Sequence, residues 1–419
     1  MTKNNKNFLA FALVTSLFFM WGLANNMTDT LLAAFKRVLS ISDFQTSFVQ
    51  SAFYGAYFCL ALPAAFLIKR FNYKTGILVG LGLFIAGALL FYPASNTMVY
   101  GHFLLALFVL AGGLSILETA ANPYILELGP QEDATRRLNL AQSFNPIGSI
   151  SGGILSKYFI LSKLDSASFE DRSGMDLTSL QHIQAKELQA IMGPYVGVAI
   201  VLIVLWVIIY FTSMPQAKDD SRLHLRASFN RLIVNKNYVW SVVAQFFYVG
   251  AQIGIWSFTI RYVMVELALD EADASTYYII ALVLFLIFRF VFTYLMKFYN
   301  PAYLLQVLSI VAIVLVVFSI VGNGYFGVVS LLLISACMSL MFPTIFGLGL
   351  KDLGDDAKVG GAGLIMAILG GAVLPAVQGQ FSDYFGSIKI AFIVPMICFT
   401  VVFYYGLISR NTTSANVTR

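Results

Sequence analysis

Charge is what this sequence has least of. Only 11% of its 419 residues are Asp, Glu, Lys or Arg, against 59% hydrophobic ones, whereas a water-soluble domain carries about 25% charged residues. That shortage excludes a soluble domain and leaves a polytopic membrane protein. Cysteine is scarce as well. Cys59, Cys337 and Cys398 lie in apolar runs without pairing or metal-ligand spacing, which excludes a disulfide framework and a cysteine metal site. The HExxH, nucleophile-elbow, P-loop and dinucleotide-binding spacings are missing too, and the longest polar link, about 30 residues, is too short for a catalytic domain. No enzyme, cofactor or metal is expected. The net charge of +5 does not require nucleic acid, because the positive residues gather on one set of links, as membrane orientation alone demands.

What the chain has in abundance is long apolar runs. Six can be marked at 8–35, 45–68, 75–95, 99–126, 138–161 and 191–213, and six more at 238–265, 275–296, 302–321, 325–350, 359–383 and 388–409. Each is close to the 20 or so residues that a helix needs to cross a bilayer. The pattern predicts an all-α membrane protein of 12 transmembrane helices in two six-helix halves, 1–213 and 238–419, joined by a linker at 214–237. Lys3 and Lys6 ahead of the first run mimic a secretory signal, but that run is too long and carries Asn25, Asn26 and Asp29, so it is read as a retained helix.

Of the 26 Lys and Arg residues, 17 fall on the termini and the even-numbered links, seven on the odd-numbered links, and two, Arg261 and Arg289, inside spans. Both termini are therefore expected in the cytoplasm. The acidic link 162–190 then lies outside, with room for a short surface helix. The halves repeat weakly: Pro123-Tyr-Ile-Leu-Glu-Leu-Gly129 aligns with Pro343-Thr-Ile-Phe-Gly-Leu-Gly349. Parallel repeats of this kind place a solute site where the halves meet.

Charge inside the apolar runs points to function. Glu118 is the sole ionisable residue of 103–126, and Asp29 that of 8–35. A carboxylate at the centre of a membrane helix costs about 2.5 to 3.5 kcal/mol on insertion scales, so it is kept where it faces a water-filled path or a partner. Trp21, Asn25 and Asp29 follow at i, i+4 and i+8 with Asn26 beside them, one broad helical face. Glu118 and Asn122 are also i, i+4. Asn139, Gln142 and Asn145 recur every third residue, and amides offer hydroxyl-rich ligands both donors and acceptors. In the seventh run Gln245, Tyr248, Gln252 and Trp256 make a stripe of amides and rings that fits a sugar's hydroxyl edges and apolar face. The plainer alternatives are amides bonding neighbouring helices and rings that only pack. Arg289, about two turns from Lys297, is read as an anchor more than a site residue. Together the carboxylates and amides suggest a proton-coupled solute site.

Several stretches, in the right order, resemble the fucose:proton symporter family of the major facilitator superfamily. They are Trp21-Gly-Leu-Ala-Asn-Asn-Met-Thr-Asp29, Gln50-Ser-Ala-Phe-Tyr54, Leu117-Glu-Thr-Ala-Ala-Asn-Pro123, Arg137-Leu-Asn-Leu-Ala-Gln142 with Phe144-Asn145, Trp256-Ser257 with Ile260-Arg-Tyr262, and Phe342-Pro-Thr-Ile-Phe346. The similarity runs nearly end to end. It implies the major facilitator fold, with Asp29 as the outward-facing proton-exchanging acid and Glu118 as the cavity carboxylate that meets sugar and proton. It also implies sugar contacts at Trp21, Asn26, Gln142, Asn145, Trp256 and Phe285, to which spacing adds Asn122 and Gln252. Two positions depart from the family pattern: Phe342 stands where tyrosine occurs, and Phe288 where glycine is usual.

The expectation is a proton-coupled symporter that imports a neutral monosaccharide, L-fucose first, by alternating access. It would be a multi-pass monomer of a bacterial inner membrane, with sugar, protons and the lipid bilayer as partners. The alternatives are a glucose, galactose or N-acetylhexosamine transporter, proton- or sodium-coupled, and a non-transporting sugar receptor.

Overall fold

The structure, a computed structural model, describes residues 3–38, 43–159, 175–215 and 225–417. Among these residues it is helical throughout, without strands. A chain this apolar must satisfy its backbone groups internally, and a helix does so within each segment. The helices are α1 (Lys3–Val38), α2 (Asp43–Arg70), α3 (Tyr73–Thr97), α4 (Tyr100–Glu127), α5 (Ala134–Gln142), α6 (Phe144–Phe159), α7 (Leu177–Phe211) and α8 (Leu225–Val234), then α9 (Lys236–Leu267), α10 (Glu271–Leu295), α11 (Pro301–Val321), α12 (Gly324–Met338), α13 (Met341–Gly349), α14 (Ala357–Met366), α15 (Gly370–Phe385) and α16 (Ile393–Val417).

Among the described residues, 11 helical stretches are long and apolar enough to cross a bilayer. The fifth span, expected over 138–161 and not among those 11, is present as α5 and α6, divided at Ser143. The tenth is likewise divided between α12 and α13, and the eleventh by a short 3-10 turn, Ala367–Leu369, between α14 and α15. Hydropathy marks twelve spans and cannot see these breaks.

Two links differ from expectation. Helix α7 begins at Leu177, well before residue 191, because Asp176 caps it: the carboxylate accepts from the Ser179 amide at 3.1 Å and from the Thr178 hydroxyl. Those bonds, Thr178 first, pull the Asp176 carboxyl down to about 2. The linker 214–237 holds α8, whose Arg231 makes a two-pronged ion pair with Asp356 at 2.7 Å on each arm.

The chain forms two compact units, Met1–Ala121 with Phe144–Gln216, and Asn122–Ser143 with Ala217–Arg419. In the first, α1 runs against α6 with backbones almost touching. A methyl group added at Gly22 would overlap the Asn145 carbonyl, and one at Gly148 that of Phe19, so glycine sets this crossing. Helix α3 lies against α7, where Trp206 Nε1 donates to the Leu78 carbonyl at 2.9 Å. In the second unit α9 packs against α10, α12, α13, α15 and α16, and α5 packs on α13.

Candidate functional site

Within the first unit, α4 carries Glu118 into a setting that is only 3% exposed. Its Oε1 accepts a hydrogen bond from the Tyr57 hydroxyl of α2 at 2.8 Å. That hydroxyl in turn accepts from Trp21 Nε1 of α1 at 2.9 Å. The result is a directed chain, Trp21 to Tyr57 to Glu118, that ties three helices to one carboxyl group. Ser115 Oγ holds the Tyr57 carbonyl at 3.1 Å, and Phe53 packs on the tyrosine ring at 5.2 Å. Tyr57 is thus held through its hydroxyl, its ring and its backbone carbonyl. The second carboxyl oxygen, Oε2, is buried without a hydrogen-bond partner among the described residues. It is the atom left to carry a proton or to meet a ligand hydroxyl.

Asn145 and Asn26 lie along the contact of α1 with α6. Asn145 Nδ2 donates to the Phe18 carbonyl at 3.3 Å, and a methyl group added at Gly153 would sit 3.2 Å from Asn26 Oδ1. The side chains of Asp29 and Asn25 lie outside the described residues, although the α1 backbone passes through both positions.

Within the second unit a further chain of polar and aromatic contacts begins at the end of α4. Asn122 Oδ1 accepts from Gln142 Nε2 at 2.8 Å. The Gln142 carbonyl accepts from the Arg289 guanidinium of α10 at 3.1 Å. Arg289 is 3% exposed and lies 5.0 Å over the Phe285 ring. It is therefore buried beside an expected site residue, with a backbone carbonyl and an aromatic ring as its contacts. Phe285 meets Trp256 of α9 edge to face, with ring centres 5.1 Å apart, and Trp256 Nε1 donates to Ser335 Oγ of α12 at 3.2 Å. Gln252, one turn before Trp256 on α9, is half-buried.

This second chain leaves donors and acceptors unused. Asn122 Nδ2, Arg289 Nε and both amide atoms of Gln245 are buried and have no hydrogen-bond partner among the described residues. Such atoms normally find a partner in protein, water or ligand. Phe342 lies between Tyr248 and Phe346, 6.4 Å from each, and Tyr248 spends its hydroxyl on the Met338 carbonyl at 2.9 Å.

Sequence reasoning missed Tyr57, Arg289 and Ser335 as members of these clusters. Tyr57 stands in an apolar run with nothing nearby to mark it. Arg289 had a signal, its place inside a span.

A carboxyl with one spare oxygen and a set of unspent amide and guanidinium atoms, all on bilayer-spanning helices, define a membrane transporter of small polar solutes. The comparisons with known proteins agree. The model of the Major Facilitator Superfamily matches residues 10–375. The chain is 38% identical to the L-fucose-proton symporter of Haemophilus influenzae over 413 residues, 96% of each chain. It is 34% identical to a glucose/galactose transporter of Brucella abortus, covering 98% of this chain and 97% of that one. Among solved structures, the transporter FucP in the outward conformation matches with a TM-score of 0.91 at 37% identity, covering 96% of this chain and 99% of that one. The chain belongs to the Major Facilitator Superfamily and, within it, to the family of the L-fucose-proton symporters. Its members are transporters and not enzymes.

Proposed function

We propose that this chain imports L-fucose together with protons. Its halves, 1–213 and 238–419, would rock about a sugar site, with 214–237 as a cytoplasmic linker. The observation that carries the reading is the asymmetry of Glu118, whose Oε1 is tied to Tyr57 while Oε2 has no partner among the described residues. A neutral carboxyl donates through the protonated oxygen, whereas the carboxylate only accepts. With Tyr57 donating to Oε1, the changing proton belongs on Oε2, where it alters what Glu118 offers to a hydroxyl. Proton loading and sugar binding are thereby coupled at one atom. Asp29 is assigned to proton exchange with the outside on its place in the outer half of the first span.

The amides of Asn26, Asn122, Gln142, Asn145 and Gln252 supply hydroxyl partners, and the rings of Trp21, Trp256 and Phe285 face the sugar's C–H surface. The protein works as a monomer in a bacterial inner membrane, with both termini in the cytoplasm. The sequence similarity to L-fucose-proton symporters supports this sugar.

A second reading, glucose or galactose, is favoured by Phe342. An apolar ring there offers no hydroxyl, and a glucose/galactose transporter is among the relatives. Uptake of labelled L-fucose into proteoliposomes under an imposed inward proton gradient, with unlabelled sugars competing, decides between them. The expected order is L-fucose ahead of D-galactose and D-glucose. Uptake blocked by glucose and indifferent to fucose would reassign the sugar.

A further inference from the structure

At one end of the second unit, beginning five residues beyond Trp256 on α9, a pocket of about 550 Å³ opens between the last turns of α9 and α15 and the start of the final span. Six polar side chains line it: Arg261, Glu266, Ser382, Asp383, Ser387 and Lys389. Two of them are already spent. Lys389 Nζ pairs with Glu266 Oε1 at 2.9 Å and also donates to the Gly322 carbonyl and to Asn323 Oδ1, at 2.7 and 2.8 Å. Glu266 Oε2 accepts the Gly324 amide at 2.9 Å. This pair ties the α11–α12 link to the pocket floor.

Arg261 and Asp383 are different. Both are exposed, and neither has an ion-pair partner among the described residues. The Arg261 guanidinium rests 5.6 Å over the Phe258 ring, which leaves its N–H groups to point elsewhere. The turn that carries Asp383 is held by its own backbone, with Gly386 in the left-handed region (φ 59°) and the Ser387 amide bonded to the Ser382 carbonyl at 3.2 Å. The pocket therefore presents an unpaired donor fork, an unpaired carboxylate and two serine hydroxyls on a fixed frame, with Val265 and Ile388 as apolar wall.

The charges choose the ligand class. Arg261 and Lys389 balance Glu266 and Asp383, so neither an anion nor a cation is drawn in on net charge. A neutral polyhydroxy molecule uses such a set fully, since a carboxylate accepts from two hydroxyls and a guanidinium donates to two others. We propose that this pocket is a second carbohydrate site, which holds a neutral monosaccharide at the outer face before it enters the buried site. The inference rests on the transport reading and on the orientation given there, which places this pocket outside.

The test uses a Cys59→Ser background, since Cys59 is the exposed cysteine while Cys337 and Cys398 are buried. Ser387→Cys, with Val265→Cys as a second reporter, is labelled in intact cells by a membrane-impermeant maleimide, with and without L-fucose, D-galactose or D-glucose. A bound sugar at about ten times its Kd should slow labelling by about tenfold. That protection should persist when Gln142→Ala is added, and vanish with Asp383→Asn or Arg261→Gln. Protection that survives both pocket changes, or that Gln142→Ala abolishes, would mean that sugar acts from the buried site and would overturn the proposal. Absence of protection in cells that still accumulate sugar overturns the outer site alone. Absence of both in folded protein sinks the transport reading with it.

Discussion

Tyr57 decides which oxygen of Glu118 remains for chemistry, because its hydroxyl, itself supplied by Trp21, occupies Oε1. Glu118→Gln keeps an acceptor for Tyr57 but can no longer change its proton. Sugar binding to the purified variant should stay within a few-fold of the parent while uphill accumulation disappears. Accumulation at the parent level would remove Glu118 from coupling. Trp256 is braced by Phe285 on one edge and Ser335 at its nitrogen. Trp256→Ala should weaken sugar binding by about 1 to 3 kcal/mol, by analogy with bases stacked on aromatic side chains. Unchanged affinity in folded protein would return Trp256 to a packing role. At this scale the sequence is legible where chemistry violates its surroundings. A carboxyl in an apolar run, or amides at helical spacing, can be seen without coordinates. Tyr57 cannot, since a tyrosine in such a run breaks no rule, and the bond from Gln142 to Asn122 joins residues on two helices through a turn that periodicity does not reach.

The turn between α4 and α5 rests on Arg137. Its guanidinium donates to the carbonyls of Ile125, Leu126 and Pro130 at 3.0, 2.6 and 2.9 Å. The end of a helix leaves carbonyls without intrahelical partners, and one planar fork meets two at the end of α4, those of Ile125 and Leu126, and the Pro130 carbonyl in the link beyond. The clasp fixes how α5 departs from α4, and so sets Gln142 against Asn122. Arg137→Ala should therefore lower stability by about 1 to 3 kcal/mol, seen as a lower unfolding temperature, and should weaken sugar binding through a residue distant from the sugar. An unchanged melting temperature with unchanged affinity would contradict this. The breaks at Ser143 and between α12 and α13 were not legible, because hydropathy averages over a window and the residues at each break remain acceptable in a helix. Helix α8 was hidden for another reason. It is short and amphipathic, and the residue that fastens it, Arg231, finds Asp356 only after the chain has folded.

Taken over the whole molecule, twelve spans were readable because long apolar runs have few alternatives to a membrane helix. What remained unreadable was how residues from separate spans converge, since that depends on close crossings such as Gly22 against the Asn145 carbonyl. The proposed symport follows from the same scale. Each proton carried inward adds about 2.3 kcal/mol per 100 mV of membrane potential to the driving force, provided that sugar and proton cross in one cycle. Proton movement on sugar addition measures that link without assuming which residue carries the proton. A de-energised suspension of vesicles containing the purified protein, in weakly buffered medium, is given L-fucose while external pH is followed. The account predicts a prompt alkalinisation that is absent with a sugar the protein does not transport and abolished in Glu118→Gln. L-fucose entry with no change in external pH would contradict it.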